Sequence, residues 1–318
     1  MTGPLSETHL SRNFEEFAAL LHGFDMDIRQ LERGLFSASS HQVAVGETML
    51  SHFMVNRRLE VNGASPAGML TFGIPLESCN PFTWRKQTTD GDTIQIYRRS
   101  TELEVITNTF FESIDVSLTE DSLNERSQAL GLPDVSSLIA NKEMVRCDPA
   151  LMRVLRRTLR LTISSIRNNP SLVYDEDIEN EMDSEISRSL LYALHSAHPP
   201  IQSSSSLKLR AVNKAVDLIN NVSGEEIALE DLCRVANVSR RTLQYKFKSY
   251  LGLSPKRYLR VHRLNMVYKN LTRSNPADTK VANIANEFGF FHLGQFAADY
   301  RCLFGELPSE TLNRETDC

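Results

Sequence analysis

The fold is decided by residues 227–255, IALEDLCRVANVSRRTLQYKFKSYLGLSP. Leu229, Leu232 and Val235 recur at helical spacing, which predicts a short helix with one apolar face. Asn237 follows directly, and asparagine tolerates the left-handed backbone that a tight turn needs. The stretch therefore predicts a helix that ends in a sharp turn.

A second helix is predicted to begin after Ser239, whose hydroxyl can cap the free amides of its first turn. Leu243 and Phe247 are spaced to be buried together. Two short helices joined by a tight turn make a helix-turn-helix, and the first residues of its second helix enter the major groove of DNA. The side chains predicted to face outward there are Arg240, Arg241, Gln244 and Tyr245.

A similar unit is predicted further along the chain. Gly289 supplies the positive φ of its turn, and His292–Phe304 forms its second helix. Its inward side chains are expected to be Val281, Ile284, Ala285, Phe296 and Tyr300. A long helix, Pro255–Leu271, is predicted to connect the units, with Tyr258, Val261, Leu264 and Tyr268 inward and Arg257, Arg260, Arg263 and Lys269 outward.

Charge is divided unevenly along the chain. The whole chain has net charge −5, yet Leu232–Ala277 contains eleven Lys and Arg and no Asp or Glu. From Leu207 onward the net charge is +5, and before it −10. An ordered basic block inside an acidic chain indicates a surface that meets a polyanion. Double-stranded DNA is the expected partner.

The first half has a different texture. Short segments rich in Val, Ile, Thr and aromatics, punctuated by Gly and Pro, predict a small antiparallel barrel or sandwich between Leu35 and Phe111. Amphipathic helices are expected at Asp148–Asn168 and Asp175–His195, either as core or as a dimer interface. The fold class is therefore α+β, with a β-rich, cupin-like or barrel domain with a helical extension at 1–200, a linker at 201–206 and an all-α domain with two helix-turn-helix units at 207–318. The predicted strands are Met49–Val55, Leu59–Val61, Met69–Ile74, Thr93–Tyr97 and Leu103–Thr107.

The cysteines and the apolar segments indicate the compartment. The five cysteines are scattered and form no C-x-x-C pair, which is typical of reduced thiols. No apolar run reaches the ~18 residues of a membrane helix, and the N-terminus lacks a secretory signal pattern. We expect a cytoplasmic protein with no membrane partner.

The last third of the chain resembles the DNA-binding domain of AraC/XylS-type transcription regulators. The likeness rests on NVSRRTLQYKF, GLSPKRYLRVHRLN and FGFFHLGQFAADYRCLFGELPS, which occur in the family's order and spacing. Within the family the likeness is greatest to the branch that regulates the ethanolamine operon. The resemblance implies a bacterial regulator, more often an activator of RNA polymerase, with a small-molecule effector and a homodimer among its expected features.

The candidate DNA contacts follow from these patterns. The resemblance places Arg241, Gln244 and Tyr245 where base contacts occur, whereas Lys246 and Lys248 suit the phosphate backbone. The second unit is chemically weaker, because Ala298 replaces a long polar side chain and Asp299 is acidic. The full set is Ser239, Arg240, Arg241, Gln244, Tyr245, Lys246, Lys248, Lys256, Arg257, His292, Gly294 and Gln295.

An effector site is much less visible in the sequence. Trp84, Arg85, Arg98 and Arg99 are candidates for an anionic ligand, although such residues more often occupy edge or surface positions. His41 and His52 are isolated in sequence, so no metal site is predicted, and the cofactor is unknown. The alternatives to an effector-controlled regulator are an effector-independent architectural DNA binder and a cupin-type enzyme fused to a DNA-binding module. Nothing in the sequence supports catalysis.

Overall fold

The computed structural model describes residues 6–21, 23–64, 68–76, 82–85, 87–89, 91–97, 103–140, 142–197, 206–221 and 227–314. The chain divides into two compact units. The first consists of Met1–Ile28, Ser37–Asn56 and Val61–Ile201. The second combines Gln202–Cys318 with two earlier segments, Arg29–Phe36 and Arg57–Glu60.

The β-structure forms two sheets. One has the strand order β1-β3-β4-β11-β6-β9-β12 and the other β2-β5-β10-β7-β8. The strands are β1 (Ser6–Ser11), β2 (Asp25–Gln30), β3 (Ala38–Val45), β4 (Thr48–Val55), β5 (Leu59–Ala64), β6 (Leu70–Pro75), β7 (Phe82–Trp84), β8 (Gln87–Thr89), β9 (Thr93–Tyr97), β10 (Leu103–Ile106), β11 (Phe111–Leu118) and β12 (Met144–Arg146).

The predicted β-rich fold is confirmed, but its extent was wrong. Strands begin at Ser6 and continue to Arg146, well outside the predicted limits of Leu35 and Phe111. The omission of β11 is instructive, because its sequence alternates small polar with aliphatic residues. That alternation is an ordinary strand signal.

The first unit also contains helices, and all but the first of them cover one face of the larger sheet. They are α1 (Phe14–Leu20), α2 (Glu120–Ala129), α3 (Val135–Ile139), α4 (Pro149–Asn168) and α5 (Glu176–His195), with a 3₁₀ helix at Pro170–Tyr174 between α4 and α5. Aliphatic residues of β3, β4, β6, β9 and β11 share one core with Leu155 and Ile163 of α4 and Leu190 of α5. Burial of this apolar surface is the main stabilising force of the unit. Both long helices occupy the predicted positions and are capped by Asp148 and Asp175.

The described part of the second unit beyond Ser206 is helical, as predicted. Its helices are α6 (Ser206–Asn221), α7 (Leu229–Ala236), α8 (Arg240–Leu251), α9 (Pro255–Thr272), α10 (Val281–Glu287), α11 (Leu293–Phe304) and α12 (Pro308–Leu312). Residues 201–205 of the predicted linker lie outside the described residues, and Ser206 begins α6. No helix among the described residues is long and apolar enough to cross a membrane.

Candidate nucleic-acid interface

The turn between α7 and α8 has the predicted geometry. Asn237 adopts φ 51° and ψ 47°, the left-handed region, at the end of α7. Ser239 then caps α8, and its hydroxyl accepts a hydrogen bond from the Thr242 amide at 3.2 Å. The amide of Val238 donates to the Cys233 carbonyl at 3.2 Å. Together these contacts fix the angle at which α8 leaves α7.

Helix α8 separates its buried and exposed side chains as a recognition helix does. Leu243 and Phe247 are fully buried. Arg241, Gln244 and Tyr245 are exposed on the other side, Tyr245 at 74%. A polar face with two long hydrogen-bonding side chains and one aromatic ring can contact base edges and a thymine methyl.

Arg240 is placed differently from its neighbours. Its guanidinium pairs with the Glu230 carboxylate on α7, across the turn. This ion pair joins the two helices of the unit. Arg240 is therefore engaged with its own domain, although both partners remain well exposed.

The remaining basic candidates near the first helix-turn-helix are at the surface. Lys248 is exposed on α8, and Lys246 is partly buried. Lys256 and Arg257 are exposed in the first turn of α9, which Ser254 caps by accepting from the Arg257 amide at 3.3 Å. Compact positive charge at these positions suits phosphate oxygens more than base edges.

The second helix-turn-helix has its turn at Gly289, which adopts φ +78° as predicted. Its recognition helix α11 buries Phe296 and Tyr300, whereas the candidates Gly294, Gln295 and the N-cap residue His292 are exposed. Phe291 is 70% exposed just before this helix, a position that the sequence reasoning missed. An exposed aromatic ring at the N-terminal end of a recognition helix is a further candidate for contact with DNA.

Asp299 has a structural partner that explains its place on α11. Its carboxylate pairs with Arg260 of α9, and it also accepts a hydrogen bond from the Gln295 amide at 3.1 Å. The acidic residue thus ties the connecting helix to the recognition helix and holds Gln295.

Two predicted orientations were wrong. Lys269 is 8% exposed, because it lies where α9 is buried within the unit, whereas an outward position was expected. Val235 is 40% exposed, although it was expected on the inner face of α7. In that short helix Leu232 and Ala236 take the buried positions instead.

A cleft of about 520 Å³ lies between the two helix-turn-helix units. Residues of α9 and α11 and of the segments just before α7 and α11 line it, and an adjoining space of about 440 Å³ extends it toward Arg240 and Gln244 of α8. The lining includes Lys256, Arg260, Arg263, His292 and Gln295. The lining also includes Leu259 and Phe291, so the cleft between the recognition helices carries both basic and apolar side chains.

Helix α9 is held by buried polar contacts from the two early segments of this unit. Tyr258 donates its hydroxyl to the Glu60 carboxylate, at 2.8 and 2.9 Å from its two oxygens. Arg29 approaches the same carboxylate at 3.6 Å. Burial raises the pKa of Glu60 and lowers the pKa of His262, one turn along α9, to about 3.

Asn265 and Gln30 form a second buried contact of this kind. The Gln30 backbone amide donates to the Asn265 side-chain oxygen at 2.8 Å, and the Asn265 side-chain amide donates back to the Gln30 backbone carbonyl at 3.0 Å. Asn265 is fully buried. These pairs were not foreseen, since nothing in the sequence links residues so far apart.

The effector candidates fall in or near the core of the first unit. Trp84 is fully buried, and its indole N–H donates to the Glu143 carbonyl at 3.0 Å. Arg85 lies 5.4 Å from the Trp84 ring centre and pairs with the Glu143 carboxylate at 3.1 Å. Arg98 and Arg99 lie outside the described residues. Trp84 and Arg85, the two candidates that the structure describes, therefore both contact Glu143.

His41 and His52 are not isolated in the structure, contrary to the sequence interpretation. They face each other on β3 and β4, because the strand register pairs them directly. His52 contacts Glu112 at 2.9 Å, and burial with Arg167 nearby lowers the pKa of His41 to about 4. Among the described residues, no group of three or more His, Cys, Asp or Glu has the arrangement of a metal site.

Comparison with known proteins identifies the class of the C-terminal domain. Residues 232–314 match the family "Helix-turn-helix domain". Over 101 residues the chain is 39% identical to "XylDLEGF operon transcriptional activator 3" of Pseudomonas putida, and 38% identical to "Probable thc operon regulatory protein" of Rhodococcus erythropolis. Each alignment covers 32% of this chain and 30% of the relative, so the chain matches under a third of the length of these relatives.

Several solved structures align over most of the chain. The AraC-like transcriptional activator CuxR is 14% identical, with 82% of this chain and 94% of that chain covered. Its TM-score of 0.44 is too low to assign a fold or a function.

Proposed function

We propose that this protein is a sequence-specific transcription regulator that binds double-stranded DNA through its two helix-turn-helix units. The observation that carries the proposal is α8, whose buried Leu243 and Phe247 leave Arg241, Gln244 and Tyr245 exposed within a sequence segment that is basic and free of Asp and Glu. Two recognition helices on one connecting helix suit successive major-groove turns on one face of DNA, about 34 Å apart.

The first helix-turn-helix supplies most of the specificity in this proposal. Arg and Gln make bidentate contacts to guanine and adenine, respectively. On α11 the corresponding side chains are shorter, and Gln295 is held by Asp299. The second helix-turn-helix therefore contributes phosphate contacts and fewer base contacts.

The first compact unit, which contains the β-sheets, is the effector-sensing or dimerisation part in this proposal. Activation of RNA polymerase in a bacterial cytoplasm is the regulatory outcome. The sequence likeness of the C-terminal domain to named operon activators supports this role. The finer resemblance to the ethanolamine-operon branch, and with it an ethanolamine or cobalamin effector, stays a prediction. No catalytic step forms part of the proposal.

Replacement of the α8 side chains tests the proposal. A DNA site is first selected from a random pool with the full chain, and affinities are measured by fluorescence anisotropy. Arg241→Ala or Gln244→Ala should each weaken binding to the selected site by about 1–3 kcal/mol and relax the base preference at one position.

Lys248→Ala is the matched control. It should weaken binding to selected and random DNA alike and reduce the dependence on salt. If Arg241→Ala and Gln244→Ala also weaken both DNAs equally, α8 contacts only phosphates. If the full chain selects no sequence, the proposed regulator function is wrong.

A further inference from the structure

Helices α8 and α11 carry different side chains at matching positions. The buried residues Leu243 and Phe247 of α8 correspond to Phe296 and Tyr300 of α11, each 53 residues later along the chain. The left-handed glycines that end the two helices are separated by the same 53 residues. The two recognition helices can therefore be compared position by position.

The positions proposed to contact bases on α8 have short side chains on α11. At this spacing, the counterparts of Arg241, Gln244 and Tyr245 are Gly294, Ala297 and Ala298. None of the three counterparts has a side-chain group that can hydrogen-bond to a base edge. In the first turn of α11 the exposed side chain with hydrogen-bonding groups is Gln295. Base readout by this turn therefore depends on Gln295.

Gln295 is held by a series of contacts that starts on α9. Arg260 of α9 pairs with Oδ2 of the Asp299 carboxylate. Oδ1 of the same carboxylate accepts a hydrogen bond from the side-chain amide of Gln295 at 3.1 Å. Each carboxylate oxygen thus has its own partner, and Asp299 connects the Gln295 side chain to the helix that joins the two helix-turn-helix units.

This contact fixes the orientation of the Gln295 amide. A carboxylate that pairs with an arginine can only accept hydrogen bonds, so it must face the amide nitrogen and not the amide oxygen. Gln295 keeps its carbonyl oxygen and one N–H for another partner, since the described residues give it no second hydrogen bond. A glutamine uses one such acceptor and one such donor to contact N6 and N7 of adenine. A side chain that is already held also loses less entropy on binding.

We propose that Gln295 reads a single adenine in the DNA half-site that α11 contacts, and that Asp299, supported by Arg260, is the positioning residue for this contact. The inference rests on the proposed regulator function, because it concerns how the second helix-turn-helix recognises its half-site. A carboxylate near the phosphate backbone ordinarily weakens DNA binding. Asp299 therefore lowers overall affinity and raises discrimination between bases, and these two effects can be measured separately.

The test measures base preference along the DNA site. The full chain selects a site from a random pool, and each position of that site is replaced in turn by the other three bases. One position outside the bases read by α8 should prefer adenine by about tenfold in the natural chain. Gln295→Ala should remove this preference and leave the preferences that depend on Arg241 and Gln244 unchanged.

Substitutions of Asp299 test its positioning role. Asp299→Ala should raise affinity for random DNA and lose most of the adenine preference. Combined with Gln295→Ala, it should lower the preference no further, because Asp299 acts through Gln295. Asp299→Asn keeps an oxygen acceptor and should retain part of the preference. The matched control is Glu287→Gln at an exposed position of α10, which should raise affinity for random DNA without changing any base preference.

Three results would overturn the inference: Gln295→Ala changes no base preference, the base it reads is not adenine, or Asp299→Ala keeps the full adenine preference. A further loss in the double variant would show that Asp299 contacts DNA itself and does not position Gln295. Selection of bases by α8 with no effect of Gln295→Ala would contradict only this inference. If the full chain selects no sequence, the regulator proposal itself is wrong.

Discussion

Single residues set the geometry of the first helix-turn-helix and, at Asp115 of β11, the pH dependence of stability. At Asn237 the decisive property is backbone conformation, since its φ of 51° is strained for most residues. At Asp115 it is the burial of an ionisable group that accepts a long hydrogen bond, 3.4 Å, from the Ser113 hydroxyl. Both effects are local, so each predicts the outcome of one substitution.

Asn237→Ala should lower the free energy of unfolding by about 1 kcal/mol, because alanine pays the full steric cost of left-handed backbone. Asn237→Gly is the matched control and should be nearly neutral, since glycine adopts this region freely. Urea unfolding of the two variants checks the difference. Equal stability of the alanine and glycine variants would contradict the role of the turn.

Asp115→Asn should stabilise the protein, and increasingly so at higher pH. Burial raises the pKa of Asp115 from 3.8 to about 8. Between these values the unfolded chain is ionised while the folded chain holds the proton, so the natural protein loses stability as pH rises. The variant lacks this loss, and the gain should be small near pH 4 and complete above pH 8.

Unfolding in urea at both pH values measures this gain, with Asp121→Asn as the exposed control. Burial raises the pKa of the neighbouring Tyr97 above its ordinary value, so Tyr97 stays uncharged over this pH range in both proteins. A gain that does not change between the two pH values would show that Asp115 does not titrate as its burial requires.

Among the elements, α9 links the recognition helices and depends most on contacts distant in sequence. The Tyr258 hydroxyl donates to both oxygens of the buried Glu60 carboxylate. Removal of a donor to a buried charged group leaves that group partly unsatisfied, which costs more than the loss of an average hydrogen bond.

Tyr258→Phe should therefore destabilise the protein by about 1–3 kcal/mol. Tyr245→Phe applies the same chemical change at a side chain that is 74% exposed, and should have little effect on unfolding. Thermal and urea unfolding of the two variants provide the measurement. If both variants behave alike, Glu60 does not need the Tyr258 hydroxyl.

The elements of the second unit could be predicted from sequence because their signals are local. Caps such as Ser239, the left-handed turn at Asn237 and the spacing of Leu243 and Phe247 all operate within a few residues. The buried pairs of Tyr258 with Glu60 and of Asn265 with Gln30 could not, since they depend on how the chain returns on itself. The amphipathic alternation of β11 was visible, but periodicity alone cannot show that its polar face is buried.

On the scale of the whole molecule, the second compact unit is assembled from separate parts of the chain. Arg29–Phe36 and Arg57–Glu60 belong to it together with the residues after Gln202. Gln30 also donates to the Leu303 carbonyl at 2.7 Å, and the Gly34 amide donates to the same oxygen at 2.9 Å. The helix-turn-helix units therefore depend on residues that precede them by more than half the chain.

A fragment limited to residues 207–318 should be less stable than the same residues in the full chain. It lacks Gln30 and Glu60, and leaves Asn265 and Tyr258 without those partners. Amide hydrogen exchange in α9 should be faster in the fragment. Asn265→Ala should accelerate exchange more in the full chain than in the fragment, and equal protection in fragment and full chain would contradict this dependence.

The pairing of Gln30 with Asn265 also bears on how regulators of this kind can be recombined. A hybrid made by joining the helical third of this chain to an unrelated sensor would inherit a connecting helix with unmet hydrogen bonds. Such a chimera would also need the segments Arg29–Phe36 and Arg57–Glu60. Alternatively, it would need substitutions on α9 that remove the polar groups left without partners. The residues that must be transferred together are therefore determined by these buried pairs, and the serine-rich segment between the domains is not a sufficient boundary for a fusion.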